Sequence, residues 1–172
     1  MRREEDADAD ADANANDDEL QSSNPKRKLN TRTRRAYHYD SRLVATLLDV
    51  CITNGNREGY MKELAVHVQV HTYGNCGVPC PGNSTSECLQ YLSKFYKFLL
   101  VFEADICEHY VSNLVYQVLQ TSMVPVVFGG GDYSKDLQPG SYIDAMPQTP
   151  ENLAHFLIYL DKHQPVFNTY TQ

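Results

Sequence analysis

The sequence predicts an α/β domain, a Rossmann-like parallel sheet with helices on both faces, on three observations. Short, nearly unbroken apolar runs (LVATLLDVCI, KFLLVFE, MVPVVF) have strand length and little polar alternation, as expected of strands buried on both faces. Between them lie segments whose apolar residues recur at the helical spacing of three to four. The two kinds of segment alternate along the chain, which is the pattern of β-α-β units around a parallel sheet.

The elements follow in order from Leu43. Leu43 to Ile52 reads as a buried strand, with helix as a competitor because of its Leu and Ala content. Arg57 to His67 reads as a helix with Tyr60, Met61, Leu64 and Ala65 on its inner face. Val68 to Tyr73 follows as a strand closed by Gly74, and Ser86 to Phe95 as a helix with Leu89, Leu92 and Tyr96 in register. Lys97 to Glu103 is the central strand. Tyr110 to Leu119 is a short helix whose inner stripe is Val111, Leu114, Val115 and Val118. Met123 to Phe128 is a second buried strand, with Pro125 near its start, where a missing N–H does least harm. Gly129, Gly130 and Gly131 then open a turn, and Ser141 to Ala145 makes a short edge strand. The last helix has Thr149 as cap, Pro150 in the first turn and Glu151 at the positive end of the dipole. Its inner face is Leu153, Phe156, Leu157 and Leu160.

A chain of 172 residues with 42% apolar content suits one domain. The net charge of −7 is unevenly placed: residues 1–36 hold nine acids and eight bases, leaving thirteen acids against seven bases in 37–172. An acidic domain repels a polyphosphate backbone, so nucleic acid is not an expected partner. A small anion held by local cations and helix N-termini is compatible with it. Residues 1–36, with the alternation DADADADANAN, bury too little to offset the entropy of ordering and read as a disordered, low-complexity tail. Its basic run Lys26 to Arg35 is either a nuclear or membrane-surface signal or plain solvated tail. No signal peptide or membrane span is expected, since Asp49 and Thr53 interrupt the best apolar candidate.

In such sheets ligands bind beyond the carboxyl ends of the strands. Arg57 opens a helix after the first strand, where guanidinium and helix N-terminus together suit a phosphate; the alternative is a solvated first-turn arginine. Glu103 and Asp105 suit sugar or ribose hydroxyls or acid-base work, or else cap the next segment, the role expected of Asp105. Gly129 to Gly131 would let a ligand approach the backbone or would serve only as a turn. Of the five cysteines, Cys76 and Cys80 follow His67 and His71, a set with the residue types of a zinc site but not a standard spacing. On a strand the two histidines would stand about 13 Å apart, so no metal is expected and disulfides with one thiol left over fit better. The sequon Asn83-Ser84-Thr85 marks Asn83 as a glycosylation candidate.

The stretches YMKELAVHVQVHTYGNCG, CPGN, LSKFYKFLLVFEADICEHYV, VPVVFGGGDYS, PGSYIDA and LAHFLIYLDK, in this order and spacing, resemble the C-terminal half of the α1,3-fucosyltransferase family, especially its invertebrate members. The resemblance covers nearly all of Leu43 to Asn168. It implies the C-terminal domain of a two-domain GT-B glycosyltransferase that holds GDP-fucose as donor substrate, with no further cofactor. The implied reaction is inverting transfer of fucose to N-acetylglucosamine of glycoprotein glycans, on the luminal side of the Golgi cisterna membrane.

Carried over by residue, the resemblance puts Arg57 on the pyrophosphate, Tyr110 beside the nucleotide, and Glu103, Ser112 and Asn113 as polar contacts. Three positions depart from the family pattern. Ala104 stands where relatives have asparagine, Asn113 where they have glutamate, and Leu114 where they have a lysine that meets the diphosphate. Losing a charge-assisted bond costs about 1.5 to 3 kcal/mol. No acceptor domain, and with it no general base, is expected before Leu43, so no residue here is assigned as catalytic. Impaired transfer is one expectation; a non-catalytic remnant or binding module of the same fold is the other, and nucleotide binding without transfer a third.

Overall fold

The computed structural model describes residues 42–171. The tail expected over residues 1–36 and its basic run lie outside them. Five strands form one all-parallel sheet in the order β2-β1-β3-β4-β5, with β1 at Val44–Leu47, β2 at Val70–Tyr73, β3 at Phe98–Phe102, β4 at Val124–Phe128 and β5 at Ile143–Asp144. Helices α1 (Arg57–His67), α2 (Thr85–Leu92), α3 (Asn113–Val118), α4 (Tyr133–Asp136), α5 (Pro150–Lys162) and α6 (Gln164–Phe167) connect and flank them.

The central strands read as continuous apolar runs because each side chain meets a core. Along β3, Phe98, Leu100 and Phe102 enter the layer with Leu64 of α1 and Leu153, Leu157 and Leu160 of α5. Leu99 and Val101 enter the opposite layer with Leu89 and Leu92 of α2 and Val115 and Val118 of α3. The expected doubly covered sheet is therefore present. Pro125 is tolerated for a specific reason: Val124 donates to the Lys97 carbonyl on the β3 side at 2.8 Å, so the next residue faces β5, whose pairing begins only at Val126.

The start of α5 is as expected, with the Thr149 hydroxyl accepting from the Asn152 N–H and proline in the first turn. Other boundaries move. The first strand stops at Leu47, because Asp49 to Ile52 turn outward into a loop where Ile52 is 88% exposed. On α1 Met61 and Leu64 are buried and Tyr60 packs on the core as expected, whereas Arg57 joins the buried stripe and Ala65 is exposed. The helix expected from Tyr110 begins only at Asn113, which leaves residues 104–112 as a loop. The helix expected over Ser86 to Phe95 runs from Thr85 to Leu92.

Candidate functional site at the carboxyl edge of the sheet

The chain runs from β1 outward to β2, then returns to β3 and continues on the other side. At such a reversal the loops leaving the two central strands part, and a crevice opens at their carboxyl ends. Arg57 spans that crevice. Its Nη1 donates to the carbonyl of Phe102, the last residue of β3, and its Nη2 donates to the Val50 carbonyl after β1 at 2.7 Å. The side chain is 7% exposed, and its Nε is buried with no protein partner. The solvated alternative for Arg57 is therefore ruled out, and two of its five N–H groups already hold backbone.

The other loops close around it. Gly55 donates its N–H to the Ala104 carbonyl at 3.0 Å. Glu103, 7% exposed, accepts the N–H of Ser112, the cap residue of α3, on Oε1 at 3.1 Å. Glu103 thus anchors the residue that precedes α3, while Asp105 is exposed and its side chain caps no helix among the described residues, which corrects the role expected of it. The glycine run is a seat for the chain itself. A methyl on Gly130 would lie 2.7 Å from the Cys107 carbonyl oxygen, and one on Gly131 would lie 2.5 Å from that of Tyr110. The backbone the glycines admit is that of residues 104–112.

Two non-glycine residues adopt left-handed backbone among the described residues, Asn56 (φ 51°) and His109 (φ 63°). Each directly precedes an expected site residue, Arg57 and Tyr110, and strain of this kind concentrates at functional sites. Asn56 makes no side-chain cap on α1. The first turn of that helix carries Glu58: burial pushes its carboxyl pKa up, but hydrogen bonds from the Glu58 and Thr53 backbone and the Thr53 side chain, with Arg57 beside it, hold it lowered overall. Tyr110 is 53% exposed and Asn113 is exposed at the first turn of α3. Ser112 Oγ is buried without a partner.

One residue here escaped the sequence reading. Tyr133 is 3% exposed, its hydroxyl has no partner, and a methyl on Gly129 would lie 2.6 Å from that hydroxyl and 2.7 Å from Glu103 Cγ. Burial pushes the Tyr133 phenol up, and the carboxylates of Glu103 and Asp144 add to the shift. The only local signal was its place directly after the glycine turn.

The cysteines pair as Cys51–Cys76 and Cys80–Cys88, with Cys107 free and exposed. Among the described residues no three His, Cys, Asp or Glu side chains are grouped to hold a metal. Asn83 is exposed beside Ser84, whose hydroxyl caps α2 by accepting from Glu87 N–H at 3.2 Å.

Gly130→Ala is expected to force the Cys107 backbone outward and to cost about 1 to 3 kcal/mol by overpacking. Urea denaturation checks this, and an unchanged midpoint would mean that the loop does not rest on the glycine as described.

A parallel sheet with this reversal is the doubly wound α/β fold, whose ligands bind at the switch crevice. The fold matches a crystal structure of α1,3-fucosyltransferase with GDP-fucose at a TM-score of 0.62 and 18% identity, over 77% of this chain and 39% of that one. Residues 38–172 match the family described as glycosyltransferase family 10 (fucosyltransferase) C-term, and the chain belongs to that family. It is 35% identical over 118 residues to α-(1,3)-fucosyltransferase C of Drosophila melanogaster, which covers 68% of this chain and 28% of the relative. It is 31% identical over 155 residues to GDP-fucose protein O-fucosyltransferase 3 of Danio rerio, covering 78% of this chain and 34% of the relative. The chain thus spans about a third or less of the curated relatives it matches.

Proposed function

We propose that this domain binds the guanosine diphosphate portion of GDP-fucose at the β1/β3 crevice, as the donor half of a fucosyl transfer to N-acetylglucosamine of glycoprotein glycans. The observation that carries the reading is the cluster of buried, partnerless polar atoms at that edge: Arg57 Nε, Ser112 Oγ and Tyr133 hydroxyl, beside buried Glu103. Buried polar groups are normally satisfied, so three at one edge support a ligand or ordered water there. In this reading Arg57 and the N-terminus of α1 serve the diphosphate, and Tyr110, Ser112 and Asn113 serve the nucleoside. The two disulfides and the exposed sequon at Asn83 support an oxidising, Golgi-type lumen. The relatives include an α-(1,3)-fucosyltransferase, a 4-α-L-fucosyltransferase and protein O-fucosyltransferase 3, so the acceptor, glycan or protein, rests on the glycan reading of the first two.

Calorimetric titration with GDP tests the proposal. Because Leu114 supplies no charge, Leu114→Lys is expected to tighten GDP binding roughly tenfold, the worth of one charge-assisted bond. No binding at millimolar GDP by either protein would favour the second reading, a non-catalytic binding module, which the losses at Ala104, Asn113 and Leu114 support.

A further inference from the structure

A second cleft, of about 530 Å³, opens at the opposite, amino-terminal edge of the sheet. Leu43 and Lys97, which directly precede β1 and β3, form part of its wall, and Ser122 lies two residues before β4. Its volume falls in the range of small-molecule sites. The charge it gathers is out of proportion to the domain. From Tyr37 onward the chain has seven Lys and Arg, and three of them, Arg42, Lys94 and Lys97, line this one cleft.

The three cations have different states. Lys97 is committed: its Nζ lies 2.9 Å from the Asp161 carboxylate, donates to Gln164 Oε1 at 3.1 Å, and stands 5.1 Å from the centre of the Phe167 ring. Arg42 lies 5.0 Å over the Phe95 ring, which presents its guanidinium on an aromatic platform. Among the described residues neither Arg42 nor Lys94 has a carboxylate in ion-pairing range. Asp161, held by Lys97 through one oxygen, keeps its other oxygen as an acceptor.

We propose that this cleft binds a monosaccharide bearing one anionic group, a phosphate or a carboxylate. Arg42 and Lys94 would take the anion, the apolar C–H face of the ring would lie against the exposed Phe95, and Asp161 would accept ring hydroxyls. A carboxylate in the wall disfavours a polyanion and suits a hydroxyl-rich ligand with a single charged group. The cleft shares no residue with the donor crevice at the other edge.

Heteronuclear NMR titration of the full chain tests the proposal with glucose 6-phosphate, glucuronate, glucose and inorganic phosphate as probes. At least one charged sugar is expected to shift resonances around Phe95 and Phe167, and whichever of the two binds tells phosphate from carboxylate. Glucose and inorganic phosphate are expected to bind at least several-fold more weakly. Arg42→Ala and Lys94→Ala are each expected to weaken binding roughly fivefold, the worth of an exposed charge pair, with the response to GDP unchanged. The proposal is overturned if neither charged sugar binds at about 10 mM, roughly tenfold above a Kd of about 1 mM. It is equally overturned if the double variant binds like the wild type, if inorganic phosphate binds as tightly as the sugars, or if GDP displaces the probe.

Discussion

Arg57→Ala is expected to lose about 3 kcal/mol of stability, the sum of two hydrogen bonds from a buried cation to main-chain carbonyls left without partners. The carbonyls belong to Phe102 at the end of β3 and to Val50 in the loop after β1, so the substitution frees both sides of the crevice. A loss of that size lowers the melting temperature by roughly 10 °C for a domain of this length. GDP binding is expected to vanish in the same variant, since the guanidinium and the loop it fixes are removed together. Arg57→Lys should recover only part of the stability, because an ammonium group cannot reproduce the planar fork that reaches two acceptors. Differential scanning calorimetry beside GDP titration reads both effects. A variant that melts like the wild type would show that the guanidinium does not hold the crevice. Full stability with lost GDP binding would instead assign Arg57 wholly to the ligand.

Replacing Cys51 and Cys76 by serine is expected to cost about 3.5 kcal/mol on the loop-entropy account, the larger effect of the two disulfides. The bond closes a separation of 25 residues, against 8 for Cys80–Cys88, for which the same account gives about 2.5 kcal/mol. Position sets the two apart more sharply than size. Cys51 is adjacent to Val50, whose carbonyl Arg57 holds, and Cys76 donates its N–H to the Leu48 carbonyl at 3.1 Å. The first bond therefore ties the loop after β1 to the loop after β2 at the crevice, whereas the second fastens the start of α2. Weakened GDP binding is expected only for the Cys51→Ser, Cys76→Ser protein. Chemical denaturation of the two double variants, each followed by GDP titration, checks the order. Equal effects of both pairs on GDP binding would rule out the coupling of Cys51 to Arg57.

The order and type of the principal elements were legible in the sequence. Val124–Phe128 and Phe98–Phe102 are apolar on every residue because helices cover both faces, and that condition is written locally. The start of α5 was legible for a similar reason, since Thr149, Pro150 and Glu151 act within a single turn. The inner stripe of α1 was legible only in part: Met61, Leu64 and Tyr60 face the core as expected, but Arg57 and Ala65 do not follow the pattern. A buried arginine occupies a position that a hydrophobic pattern leaves to solvent, and Ala65, apolar by type, lies on the exposed side. The length of the helix after β3 was misread because Tyr110 and Val111 continue an apolar pattern, while Glu103 pins the backbone at Ser112 and delays the first helical turn.

The sequence by itself determined the fold class from periodicity, and residue type near strand ends pointed to the carboxyl edge of the sheet with Arg57 and Glu103 as candidates, whereas Tyr110, Ser112 and Asn113 came from the family resemblance alone. Only the tertiary structure decided what those groups do to one another. Arg57 reaches Phe102 across 45 positions, Gly130 seats Cys107, and Tyr133 comes to lie beside Glu103. Contacts of that separation depend on strand order and loop conformation, and a buried polar group takes whichever partner the assembled chain brings within hydrogen-bonding distance.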